Sequence, residues 1–170
     1  MARFTMLDYW ATRLSMGLKF LMMVFRALLP TRSNASSTLL PSEPTLSEPI
    51  SRFILHSGDF GVQPPRVKAR ALEPSPKDNE TSVFRTIGLT EAGIWQLATN
   101  HVDGPRGLCR ARADLQVRAA VNIGLSVEPK EPPPRHANIV KWPGKDERMS
   151  LAQRLAAEAT LVIRSVEATG

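Results

Sequence analysis

Pro132-Pro133-Pro134-Arg135-His136-Ala137-Asn138-Ile139-Val140-Lys141-Trp142-Pro143-Gly144 is the stretch on which the fold turns. Three consecutive prolines are expected to run polyproline-like into it. The residues after them alternate, so Ala137 to Lys141 is predicted as a strand. Its period of two puts His136, Asn138 and Val140 on one face and Arg135, Ala137 and Ile139 on the other. Trp142-Pro143-Gly144 then bends the chain sharply. Asp146 is expected to cap a helix in which Leu151, Leu155 and Ala159 recur at i, i+4 and i+8, with small Ala152 and Ala156 beside them. Thr160 to Val166 is apolar enough to close as a strand.

The segments upstream carry the same texture. Arg52 to His56 reads as a short apolar strand, and Ser57 to Pro65 as a loop. Arg66 to Leu72 alternates and is predicted as a half-buried strand. Thr81 to Ile87 is another, with Val83, Arg85 and Ile87 on one face and Phe84 and Thr86 on the other. Thr90 caps a helix carrying Ile94, Trp95 and Leu97 and ending near Asn100. Leu108 to Ala113 is expected as a strand that projects Arg110 and Arg112 together. Asp114 then caps a second helix that Gly124 stops, and Leu125 to Val127 is a short extended piece. Strands come first, then helices and strands in alternation. This predicts an α+β fold over residues 51–170, a single mixed β-sheet with about three helices.

Residues 1–29 read differently. On a helix, Asp8, Thr12, Ser15, Lys19 and Arg26 form one polar stripe amid leucine, methionine and phenylalanine, and Pro30 ends it. Its longest apolar run, Phe20 to Phe25, falls far short of the ~20 residues a bilayer needs. This amphipathic helix suits docking on the domain or a partner. A mis-assigned start also fits, since five of the six methionines lie here, and a membrane surface is the less favoured reading. Residues 30–50 hold four Pro, five Ser and three Thr, and are expected to be a mobile linker with too little apolar surface to offset its ordering entropy.

The net charge is +6, carried by 22 Lys and Arg against 16 Asp and Glu. A basic balance suits a nucleic acid or another polyanion. The arginines are scattered, however, as the coding bias of a GC-rich genome would also leave them. Cys109 is the only cysteine, so the chain has no internal disulfide or cysteine zinc site, and a cytoplasmic, reducing setting is expected. His56, His101 and His136 lack metal-ligand spacing. No metal and no cofactor is expected.

His136 and Asn138 are the candidate catalytic pair. An imidazole titrates near neutral pH, and a neighbouring amide can position a substrate. The bland alternative is a hydrogen-bonded strand edge. Arg85, Lys141, Lys145, Arg110 and Arg112 are the candidate anion-binding residues. Lys141 and Lys145 flank a helix start, though the spacing of a phosphate loop is absent and the acid Asp146 follows. Arg110 and Arg112 belong to the densest basic run, with Arg106 and Arg118, but without aromatic stacking platforms. Arg85 faces with Val83 and Ile87, so it is expected to be partly buried, with Glu91, Asp103 or Asp114 as partner.

Thr81-Ser82-Val83-Phe84-Arg85, Gly88-Leu89, Ile94-Trp95, and Pro134 to Val140 with Trp142-Pro143 together resemble a group of small uncharacterised bacterial proteins. The resemblance spans about residues 51–163. It implies a bacterial single-domain protein and carries no activity or catalytic residue with it.

Three functions follow as expectations. The leading one is a non-enzymatic binding or accessory domain for nucleic acid or another polyanion. The second is a small transferase or hydrolase acting on a phosphate-bearing substrate, with His136 as acid/base. The third is a structural protein whose leader docks on a protein partner. Convergence of His136, Arg85 and the Arg110/Arg112 pair in one cleft favours the enzyme; dispersal favours the binder.

Overall fold

The computed structural model describes residues 40–165. The predicted leader helix, and residues 30–39 of the predicted linker, lie outside them. The fold is α+β, as expected. Among the described residues, eight strands, β1 (Pro49–Ile54), β2 (Phe60–Val62), β3 (Pro65–Val67), β4 (Thr81–Arg85), β5 (Ala111–Gln116), β6 (Ser126–Pro129), β7 (His136–Val140) and β8 (Thr160–Ile163), accompany three α-helices, α1 (Glu91–His101), α2 (Val117–Val121) and α3 (Lys145–Glu158). Six strands form the main sheet in the order β6-β7-β4-β1-β5-β8, and β2 and β3 form a separate ribbon. Every ladder is antiparallel, where a mixed sheet was expected.

Alternation along the strands divides the core between the two faces of the sheet. Ile50, Val83, Ala113, Ala137 and Ile139 pack on one side with Leu155 and Ala152 of α3, Ala119 and Ala120 of α2, and Trp142. The opposite face carries Phe53 and Phe84, which meet Ala98, Ile94, Trp95 and Leu97 of α1. Small residues on the inner strands (Ala111, Ala113 and Ala137 are all sealed from solvent) let the helices of the larger core approach closely. Across the β4–β7 ladder on the α1 face Ser82 opposes Asn138 and Phe84 opposes His136, and Phe84 also stacks on His101 at the end of α1 with centroids 6.1 Å apart.

Several predicted boundaries move. The compact unit begins at Leu40 rather than near Ser51. Glu48 is buried at 1% exposure, and its carbonyl accepts from Val117 N while Leu46 O accepts from Arg118 N. Backbone and ionic bonds order this end of the predicted linker, so its poverty in apolar residues does not decide the outcome. Arg66–Leu72 is not a strand throughout: β3 ends at Val67, and Ala69–Ala71 forms a 3₁₀ turn. Asp114 caps nothing. It lies within β5, and α2 starts after Gln116 with no side-chain cap. Asp146 sits in the first turn of α3, behind Gly144 at the cap position. Thr90 does cap α1, its hydroxyl accepting from Gly93 N at 3.2 Å. Gly124 takes φ +88° just after α2, a conformation that costs glycine little. Pro133 to His136 forms a turn closed by His136 N on Pro133 O at 3.1 Å, not a polyproline run.

Candidate functional site

Strand β7 places His136 and Asn138 on the same face, as its alternation requires, and both line a hollow of about 410 Å³. Ser82 and Glu80 come to it from β4 and the residue before it, Lys130 from the β6–β7 turn, and Arg52 from β1. An adjoining hollow of about 350 Å³ shares Arg52, Ser82 and His136 and adds Phe84, His101 and Arg106.

His136 is held at both ring nitrogens. Nδ1 lies 2.8 Å from the carbonyl oxygen of Lys130, and Nε2 lies 2.7 Å from Ser82 Oγ. A carbonyl oxygen only accepts, so Nδ1 carries the proton in the neutral ring and Nε2 accepts from the serine hydroxyl. The edge of Phe84 packs against the imidazole with centroids 5.4 Å apart. The ring is half-buried and its tautomer is fixed by the main chain.

Asn138 is 95% buried and donates through Nδ2 to the Glu80 carboxylate. Its Oδ1 is buried and, among the described residues, has no hydrogen-bond partner. A buried acceptor without a donor costs about 1–3 kcal/mol. Glu80 also takes the Lys130 ammonium at 2.5 Å. That bond, and the one from Asn138, hold its carboxyl below the ordinary glutamate range despite partial desolvation.

Arg52 is the cation of the site. The β1–β4 ladder ends at Ser51 and Phe84, and the guanidinium fills the gap beyond it. Its Nε donates to Ala71 O at 3.1 Å and its Nη1 to Ser82 O at 3.0 Å. Burial lowers its pKa. Among the described residues no carboxylate pairs with it directly, and Nη2 has no hydrogen-bond partner.

The other expected anion-binding residues do not join this site. Arg85 is buried, with Nε and Nη2 on the Glu48 carboxylate at 2.5 and 2.9 Å and Nη1 on Pro41 O. None of its three expected partners is used. Glu91 and Asp114 hold Arg112, and Asp103 holds Arg164. Arg112 is 97% buried beneath the Trp95 ring at 4.7 Å, so it is not part of a basic surface. Burial works against its charge, but Glu91 and Asp114 leave it net above the ordinary arginine value. Arg110, Lys141 and Lys145 are exposed and line neither hollow. The arginines therefore disperse, while His136 and Asn138 converge with residues that sequence reasoning missed. Those residues, Ser82, Glu80 and Arg52, carry no local signal, because the strand order alone brings them to β7.

A larger hollow of about 630 Å³ lies elsewhere, by Asp114, Arg118 and Glu158. It holds no histidine, and its Asp114 is committed to Arg112 and Ser51. The paired groups, not the volume, identify the candidate site. Among the described residues no cluster of three or more His, Cys, Asp or Glu could hold a metal ion, and no helix is long and apolar enough to cross a membrane. No protein-family model, curated protein or solved structure matches the chain.

Proposed function

We propose that the chain is a small hydrolase or transferase acting on an anionic, phosphate-bearing substrate, with His136 as its acid/base. One observation carries the reading. His136 Nδ1 is anchored on Lys130 O at 2.8 Å, which turns the Nε2 lone pair towards a hydroxyl in an open hollow. A base held by a second group and aimed at a proton is the arrangement that proton transfer needs. The adjoining hollow supports an anion, because Arg52, Arg106 and His101 line it and, among the described residues, no carboxylate does. Asn138 lines the first hollow beside His136, where it positions the substrate.

The polyanion-binding reading keeps exposed Arg106, Arg110, Arg118, Lys141 and Lys145, but Arg85 and Arg112 are already neutralised within the fold. The dispersal that would favour a binder therefore removes two cations from it as well. Steady-state assay of wild type and His136→Gln against a panel of phosphate-bearing esters tests the enzymatic reading. Turnover that falls at least ~100-fold in the variant is expected, the scale of one general base. Equal turnover in both proteins, or none in wild type across the panel, overturns it.

A further inference from the structure

Ser82 was not singled out by its sequence, and the acid/base reading does not require it. It sits in β4 directly opposite Asn138, half-buried, and lines both hollows. Its Oγ is 2.7 Å from His136 Nε2, within the reach of a base that must remove a proton from a nucleophile. The base is in turn oriented by a third group, the Lys130 carbonyl. Arg52, bonded to the carbonyl of Ser82 itself, brings a guanidinium whose Nη2 has no partner among the described residues to the same wall.

We propose that Ser82 is a covalent nucleophile and that the bond it opens is an ester of a carboxylic acid. This rests on the acid/base role of His136 and adds a second reacting residue to it. Ser82 Oγ attacks the ester carbon, and its proton passes to His136 Nε2. The carbonyl π-electrons move to oxygen, and the resulting oxyanion is stabilised by the Arg52 guanidinium. The carbonyl re-forms as the C–O bond to the leaving alcohol breaks, and the imidazolium returns its proton to that alcohol. Water then attacks the acyl-serine with His136 again taking the proton, and the acid departs as the Ser82 hydroxyl is restored. An acceptor alcohol in place of water gives transfer instead of hydrolysis. Asn138 and the cationic half of the groove hold the rest of the substrate. An acyl centre fits better than a phosphoryl one because a neutral imidazole beside a hydroxyl is the machinery of acyl transfer, and of the two cations in this hollow Lys130 is already paired with Glu80. Phosphoryl transfer depends chiefly on massed positive charge. The phosphate of the substrate is then a handle in the adjoining hollow rather than the reacting group.

The test is labelling of the full chain with an alkyl fluorophosphonate, whose phosphorus bonds to an activated serine oxygen as fluoride leaves. Intact mass and peptide mapping are expected to show one adduct, at Ser82. Ser82→Ala should take none, and His136→Gln should label at least ~100-fold more slowly, while thermal melts show all three proteins folded. No adduct on wild type, or an adduct elsewhere that Ser82→Ala leaves unchanged, overturns the nucleophile. If ester turnover nonetheless still depends on His136, the acid/base reading survives alone and water attacks directly. If neither labelling nor turnover depends on His136, both fall.

Discussion

Glu48 and Arg85, 37 residues apart in sequence, form a two-point ion pair sealed from solvent, with oxygen–nitrogen distances of 2.5 and 2.9 Å. The side chains are 0% and 4% exposed. Breaking such a pair from one side strands a buried charge, so Glu48→Ala is expected to cost about 3–5 kcal/mol in urea denaturation. Replacing both partners by apolar residues, Glu48→Leu with Arg85→Met, should recover most of that loss. A Glu48→Ala cost under ~1 kcal/mol would mean the segment before β1 is not locked to the body.

Arg112 fastens α1 to the sheet. It reaches Glu91 through Nη1 and Nη2 and Asp114 through Nε, and lies under Trp95. Lysine keeps the charge but not the planar fork. Arg112→Lys should lower stability by about 1–3 kcal/mol. The loss should also appear as greater hydrogen exchange across residues 91–101. An unchanged midpoint would show the fork to be dispensable.

The pH dependence of folding follows from paired carboxylates. Glu80 is held below the ordinary value of 4.5 by Lys130, and Glu91 by Arg112. Groups with depressed folded values stabilise above that pH and lose the contribution as pH falls through the folded values. Lys130 is raised above 10.5 by Glu80, so its share is present below that pH and is lost as pH climbs through the folded value. Stability should therefore plateau between these limits and fall on both sides. Glu80→Gln should flatten both shoulders, because it removes the partner of Lys130 as well, whereas Glu91→Gln should flatten only the acidic one. A Glu80→Gln curve that overlays wild type would contradict the assignment.

Lys141, between β7 and the turn at Trp142, has φ +66°. The left-handed region costs ordinary residues roughly 1–2 kcal/mol, and β-branched ones more. Lys141→Val should destabilise by roughly 1 kcal/mol or more, while Lys141→Asn should be neutral or mildly stabilising. A more stable valine variant would show that this backbone can relax.

Where one local signal decides the outcome, the sequence is legible. The alternation around His136 and Asn138 places both on one face, and the Thr90 hydroxyl at a helix start predicts its own cap. Asp114 is the instructive failure. A carboxylate before an apolar run looks like a cap, but here it answers Arg112 two residues earlier and Ser51 on the neighbouring strand. Such a choice between local and long-range partners is made by the sheet order. The same holds for Arg85, whose partner lies in a stretch whose composition argues for disorder. Ser82 escaped notice because a serine in an alternating strand has no pattern of its own. Only the antiparallel pairing of β4 with β7 gives it an imidazole.

The imidazole of His136 leans on a main-chain oxygen rather than a side-chain acid. A carboxylate in that position can be deleted by a single substitution; the oxygen of residue 130 is supplied by any amino acid. The proton's location on the ring is thus indifferent to the identity of residue 130 and sensitive to the path of the bend joining β6 to β7. Re-aiming this ring, by selection or by design, is a matter of reshaping that bend through its length and its prolines.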